Sequence, residues 1–64
     1  MLKINGKPAD AAGLTVAEYL ARENFDARKV AVEINEEIVP KKNFAEVVLR
    51  DGDIVEIIGL MGGG

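Results

Sequence analysis

The stretch GLTVAEYLAREN, residues 13–24, decides the fold because it is the segment of the chain with a helical pattern. Thr15 and Glu18 have the spacing of a capping box, in which each side chain accepts a hydrogen bond from the other residue's backbone N–H. One apolar stripe along this helix is formed by Val16, Tyr19 and Leu20. Asn24 is a typical helix stop, because asparagine tolerates a left-handed backbone. The sequence therefore predicts one amphipathic helix over these residues.

Two short strands are predicted before the helix. Leu2 and Ile4 alternate with polar residues, which is the pattern of a half-buried strand. The triplet NGK, residues 5–7, is a strong hairpin signal, because both turn positions need a positive φ. A second strand is expected around residues 8–12, and its Pro8 would confine it to a sheet edge.

Strand character returns after the helix. VAVEIN, residues 30–35, alternates between apolar and other side chains. The positions predicted to face inward are Val30, Val32 and Ile34. A turn at Asn35 and Glu36 is expected to lead into a short strand at residues 38–39, which Pro40 would end.

The last strand is predicted over IVEIIG, residues 54–59, directly after a turn at DGD, residues 51–53. A calcium loop is the other interpretation of DGD, but the further carboxylates and the closing glutamate of such a loop are missing. Residues 41–49 are expected to form an irregular or single-turn segment. Its predicted core side chains are Phe44, Val47 and Leu49.

The order of these segments, β-β-α-β-(β)-β, predicts an α+β fold with a mixed sheet of four to five strands packed on one helix. The first and last strands are expected to lie side by side in the sheet centre. This is the β-grasp or ubiquitin-like arrangement, although the pattern alone leaves another α+β ordering open. We expect residues 1–58 to form the domain and residues 59–64, GLMGGG, to form a flexible glycine tail.

The composition excludes several classes of function. The 64 residues contain neither cysteine nor histidine, which removes disulfides, thiolate metal sites and the usual metal ligand and general base. We therefore expect no metal site and no serine–histidine hydrolase. The net charge of −3 argues against nucleic acid as a partner. The first ten residues contain no long apolar run, so we expect neither a signal peptide nor a membrane span. The default expectation is then a cytoplasmic protein that is a monomer when free.

The end of the last strand is the candidate binding region. If Val55 and Ile57 face the helix, alternation places Ile58 on the open face of the sheet. Leu60 and Met61 follow with nothing in the sequence pattern to bury them, which indicates a docking patch beside the tail. A linker or a cloning scar is the other interpretation of the three glycines. Adjacent Lys41 and Lys42 are interpreted as an ordinary solvated loop.

Residues 31–64 resemble the sulfur carrier proteins of thiamine (thiazole) biosynthesis, the ThiS family. The matching features are the IN-x-x-IVP stretch at residues 34–40, the aromatic Phe44, the DGD turn and the terminal glycines. The segment GLTVAEYL is similar to the start of the family's helix, so that the resemblance covers essentially the whole chain. It implies a β-grasp carrier protein that is not itself an enzyme.

The resemblance also implies a role for each tail residue. The carboxyl group of Gly64 would be adenylated by an ATP-dependent E1-like enzyme and converted to a thiocarboxylate, with sulfur ultimately from cysteine through a sulfur-donor system. Thiazole synthase would receive that sulfur. Gly63 and Gly64 match the family's glycine pair, and Gly62 extends it. The GLM at residues 59–61 departs from the aromatic or β-branched residues often found there. No bound cofactor is implied, since ATP belongs to the activating enzyme.

The chemistry of the residues agrees with this implication. A carboxylate with a pKa of about 3.5 is ionised in the cell and is a poor acyl donor, so it needs activation. A tail of glycines can enter a narrow channel, and six residues span about 20 Å when extended. Three alternatives stay open: the small subunit of molybdopterin synthase, a ubiquitin-like protein modifier, and a plain interaction module with inert glycines.

Overall fold

The computed structural model describes residues 1–60 and contains a five-stranded mixed sheet with one α-helix. The elements in chain order are β1 (Lys3–Ile4), β2 (Lys7–Pro8), α1 (Val16–Arg22), β3 (Val30–Ile34), β4 (Glu37–Ile38) and β5 (Ile54–Gly59). Two short 3-10 turns lie at Ala27–Lys29 and Lys41–Asn43. The strand order is β2-β1-β5-β3-β4.

The ends of α1 follow the predicted local chemistry. The backbone N–H of Thr15 donates to Glu18 Oε1 at 2.8 Å, and the N–H of Glu18 donates to Thr15 Oγ1 at 3.1 Å, so the predicted capping box is present. Asn24 follows the last turn with a φ of 63°. Its N–H donates to the carbonyl of Ala21, while the next N–H along the chain donates to that of Leu20. This pair of bonds is a Schellman ending, which confirms the predicted stop.

The sheet is built around a parallel pair, β1 and β5, in its centre. This placement confirms the predicted adjacency of the first and last strands. β3 continues the sheet antiparallel to β5, while β2 and β4 are antiparallel edge strands. Pro8 lies in edge strand β2, where its missing N–H removes no ladder bond inside the sheet.

Two edge strands have different bounds from those predicted. β2 covers Lys7–Pro8 instead of residues 8–12, and β4 covers Glu37–Ile38 instead of residues 38–39. The earlier start of both strands has one cause: two-residue turns join these hairpins, so pairing resumes at the first residue after each turn. The paired residues of β2 end at Pro8, opposite Lys3, which begins β1. Val39 still donates its N–H to the Val32 carbonyl at 2.8 Å and is buried.

The core lies between α1 and one face of the sheet. Its most deeply buried large side chains are Leu20, Leu49, Val16, Val32 and Val55. The irregular segment after β4 contributes as predicted, because Phe44 and Leu49 are buried and Val47 packs against the same cluster. The opposite face of the sheet has no helix over it in the described part of the chain. No helix within residues 1–60 combines the length and the apolar character needed to cross a membrane.

Candidate functional site

The two faces of β5 differ as the sequence predicted. Val55 is 1% exposed, and Ile57 is half-buried against the core cluster. Ile54, Glu56 and Ile58 point to the other side and are exposed. Alternation along a strand accounts for this division, since successive side chains leave opposite faces of a sheet. The predicted placement of Ile58 on the open face is therefore confirmed.

The end of β5 reaches further than the predicted domain boundary. Gly59 belongs to β5 and pairs with Val30, and the N–H of Leu60 donates to the Lys29 carbonyl at 2.8 Å. The observed bounds of β5, Ile54–Gly59, are those predicted for the last strand. Gly59 is also the first residue of the predicted tail, and its pairing with Val30 assigns it to the strand. The other predicted site residues, Met61, Gly62, Gly63 and Gly64, lie outside the described residues.

Two exposed apolar side chains lie where the chain leaves the sheet. Ile58 is 44% exposed and Leu60 is 47% exposed, and we call these two residues the exit patch. The residue opposite Ile58 on β3 is Ala31, whose methyl group is too small to cover an isoleucine. The exit patch is thus a ready apolar contact immediately before Met61.

A pair of carboxylates lies next to the exit patch, and sequence reasoning missed it. Glu33 of β3 is the direct cross-strand partner of Glu56 of β5. Neither takes part in any of the salt bridges formed within residues 1–60. Like charges directly opposite one another are unfavourable in a sheet. The surface beside the exit patch therefore favours a partner with positive charge. Only the strand register could have shown this pair.

The start of β5 is held by polar side chains. Asn35 donates from Nδ2 to Asp53 Oδ1 at 3.1 Å and accepts from the Ile54 N–H at 3.0 Å. The other Asp53 oxygen, Oδ2, accepts the N–H of Arg50 at 3.0 Å. Gly52 has a φ of 92°, and the Asp53 N–H donates to the Arg50 carbonyl, so DGD forms the predicted turn. Both carboxylates of the turn, on Asp51 and Asp53, therefore bond to other groups of the chain.

One carboxylate of the DGD turn has a shifted pKa. The terminal ammonium of Met1 lies 2.9 Å from Asp51 Oδ1. This hydrogen bond to a cation lowers the pKa of the Asp51 carboxyl below its ordinary value of 3.8. Both groups are largely exposed, so the ion pair is a minor contribution to stability.

A groove of about 390 Å³ also lies at the start of β5. Its lining includes Ile34, Ile38, Val39, Pro40, Val47 and Asp53. The six residues of β5 place its two ends about 17 Å apart. The groove is therefore at the end of β5 away from Gly59, and it is separate from the exit patch.

Comparison with known protein families shows to which family this chain belongs. The family model described as "ThiS family" matches residues 2–64, nearly the whole chain. The chain belongs to the ThiS family. Among curated ThiS proteins, the sulfur carrier protein ThiS of Thermus thermophilus is similar, with 39% identity over 64 residues that cover all of both chains.

Two further similarities, to a solved structure and to part of a longer enzyme, concern the fold and the function of this ThiS-family chain. The crystal structure of a thiamine biosynthesis protein (ThiS) from Geobacter metallireducens is similar, with a TM-score of 0.81, 39% identity and coverage of 98% of this chain and 97% of that one. This likeness confirms the predicted β-grasp fold. A thiazole synthase of Paramagnetospirillum magneticum is 48% identical over 64 residues, or 98% of this chain. The matching segment spans only 20% of that enzyme.

Proposed function

We propose that this chain is a sulfur carrier of thiamine biosynthesis and that the carboxyl group of Gly64 carries the sulfur. The observation that supports this most strongly is the family match over residues 2–64, which includes the glycines. Relatives of similar length are named sulfur carrier protein ThiS. On this proposal the chain is a protein substrate of other enzymes.

The proposed chemistry begins at the Gly64 carboxylate. One of its oxygens attacks the α-phosphorus of ATP in an E1-like activating enzyme, and pyrophosphate leaves. A sulfide equivalent from a sulfur-donor system then attacks the carbonyl carbon of the acyl adenylate, and AMP leaves with its electron pair. The product is a thiocarboxylate. Activation is needed because a free carboxylate is a poor acyl donor at neutral pH.

The described residues suit a carrier that is held outside its partner's active site. β5 is the central strand, and β3 pairs with it from Val55 to Gly59, so its backbone is held in the sheet up to the start of the tail. The exit patch, Ile58 and Leu60, is where we propose the activating enzyme holds the domain. The four residues after Leu60 can span at most about 14 Å when extended. Met61, Gly62 and Gly63 would contact the partner along that distance.

Thiazole synthase is the proposed acceptor of the sulfur. Two proteins named thiazole synthase contain a segment similar to this chain, each over 20% of its length. A carrier-like segment and a thiazole synthase joined in one chain support a direct transfer between the two. The same observation favours the thiazole pathway over the molybdopterin alternative.

The test is the removal of Gly64. The shortened chain should melt like the wild type, because the buried core lies between Leu2 and Val55. It should support no ATP–pyrophosphate exchange with the activating enzyme, and a chain extended by one residue should also fail. Unchanged exchange with the shortened chain would contradict the proposal.

A further inference from the structure

Two turns of the molecule share one design. Asn5 and Gly6 join β1 to β2 with φ values of 53° and 82°. Asn35 and Glu36 join β3 to β4 with φ values of 52° and 70°. Both are two-residue hairpin loops of the type in which each central residue has positive φ, and asparagine takes the first position in each.

Both turn asparagines are bonded to β5, from opposite sides. Asn35 donates its backbone N–H to the Ile54 carbonyl at 2.8 Å and accepts the Ile54 N–H on Oδ1 at 3.0 Å. Asn5 donates its backbone N–H to the Val55 carbonyl at 2.9 Å. Its Oδ1 accepts the N–H of Ile57 at 2.8 Å, across 52 residues of chain. Asn35 thus holds the start of β5, while Asn5 acts further along it.

The Asn5 side chain replaces a strand that has ended. The pairing of β1 with β5 stops at Ile4 and Val55, because the chain turns away at Asn5. The next N–H of β5 on that side belongs to Ile57 and would otherwise have no carbonyl of β1 to bond. The amide oxygen of Asn5 supplies the acceptor. On the other side of β5, Leu60 is held by the Lys29 carbonyl.

We propose that Asn5 is a positioning residue for the activation of Gly64, acting through Ile57 to set the direction in which β5 leaves the sheet. The inference rests on the proposed function. Ile57 is followed along β5 by Ile58 and Leu60 of the exit patch, so a shift of the backbone at Ile57 moves the surface that is proposed to hold the carrier against the activating enzyme. A misplacement of about 1 Å can lower a rate about a hundredfold.

The molecule offers a matched pair of variants to test this. Asn5→Gly and Asn35→Gly each keep a residue that tolerates positive φ and each remove one side-chain acceptor of β5, and Asn35→Gly also removes the donor to Asp53 Oδ1. Asn35→Gly should therefore lower the melting temperature at least as much as Asn5→Gly. Hydrogen exchange followed by NMR should show faster exchange of the Ile57 amide in the first variant and of the Ile54 amide in the second. All assays are run where melting curves show every variant to be folded.

Kinetics with the activating enzyme separate positioning from stability. ATP–pyrophosphate exchange is measured against carrier concentration. Asn5→Gly should lower kcat/KM about tenfold, mainly through a higher KM for the carrier, because the exit patch is less well preorganised for binding. Asn35→Gly should stay within about twofold of the wild type, since its bond lies at the other end of the strand. Asn5→Asp keeps an oxygen acceptor and should restore most of the loss.

The possible outcomes separate the positioning role of Asn5 from the carrier function on which it rests. Equal kcat/KM for the two glycine variants, or no recovery with Asn5→Asp, would overturn the positioning role while leaving the carrier function standing. A wild-type chain that the enzyme does not activate would overturn the carrier function and, with it, this role.

Discussion

The two ends of β5 carry similar side chains in different surroundings. Ile54 at its start is 60% exposed and Ile58 near its end is 44% exposed, both on the open face of the sheet. The start lies beside the bonded side chains of Asn35 and Asp53. The end leads directly to residues 61–64. Exposure alone therefore does not identify a docking site; position relative to Gly64 separates the two isoleucines.

The largest expected effect is at the tail. Gly63→Val should lower the rate of activation about a hundredfold, because a β-branched side chain would obstruct the narrow channel expected for a glycine tail and displace the reacting carboxylate. The melting temperature should stay close to that of the wild type, since Gly63 follows the described core in sequence. Single-turnover adenylation, with circular dichroism melts alongside, measures both. Normal activation of this variant would show that channel width does not select glycine.

Lysine substitutions at the two ends of β5 test whether these ends differ in function. Ile58→Lys should weaken binding to the activating enzyme at least tenfold, or about 1.4 kcal/mol, because an apolar contact is lost, the ammonium must be desolvated in the interface, and its charge offsets that of the neighbouring Glu56. Ile54→Lys is the matched control, since both positions flank Glu56 at the same spacing and face solvent. Each should change the free energy of unfolding by no more than about 0.5 kcal/mol.

Titration of the wild type and both lysine variants against the activating enzyme measures their binding affinities. Equal affinities for the wild type and Ile58→Lys would remove Ile58 from the interface. Equal weakening by both variants would mean that the partner covers the whole open face and that the two ends of β5 do not differ in function.

A change at the helix start should affect stability alone. Thr15→Ala removes one half of the capping box and should lower the free energy of unfolding by about 1 kcal/mol. Thr15 belongs to neither end of β5, so sulfur transfer should fall only as far as the folded population does. Urea denaturation and a transfer assay on the same sample check this. A large loss of transfer in fully folded protein would assign a partner contact to this part of the surface.

The smallest effect concerns the turn before β5. The pKa of Asp51 is lowered in the folded chain by its hydrogen bond to the Met1 ammonium, so its contribution to stability is present above pH 3.8 and is lost as the pH falls through the lower folded pKa. Asp51→Asn lacks this dependence. Melting temperatures from about pH 6 to about pH 2 should therefore differ slightly between the two chains at first and then converge. A difference that grows toward low pH would contradict the assigned pair.

Local chemistry made much of the fold predictable. The capping box at Thr15 and Glu18 and the two-residue turns depend on residues close together in the chain. The faces of β5 also followed from alternation, because Val55 and Ile58 differ in parity. These are the features that a sequence pattern records directly.

The features that needed the structure depend on distant residues or on backbone alone. The bond between Asn5 and Ile57 joins residues 52 apart, and Glu33 faces Glu56 only through the register of β3 and β5. Gly59 belongs both to the predicted last strand and to the predicted tail, and its backbone pairing with β3 assigns it to the strand. The alternation of side chains does not record such backbone pairing.

The most direct test of the carrier function is the intact mass of the chain after incubation with ATP, the activating enzyme and a sulfur donor. The proposal predicts a mass increase equal to the replacement of one oxygen by sulfur, located on Gly64 by fragmentation and absent when ATP is omitted. An unchanged mass with an enzyme that activates another ThiS protein in the same reaction, or a sulfur located on any other residue, would contradict it.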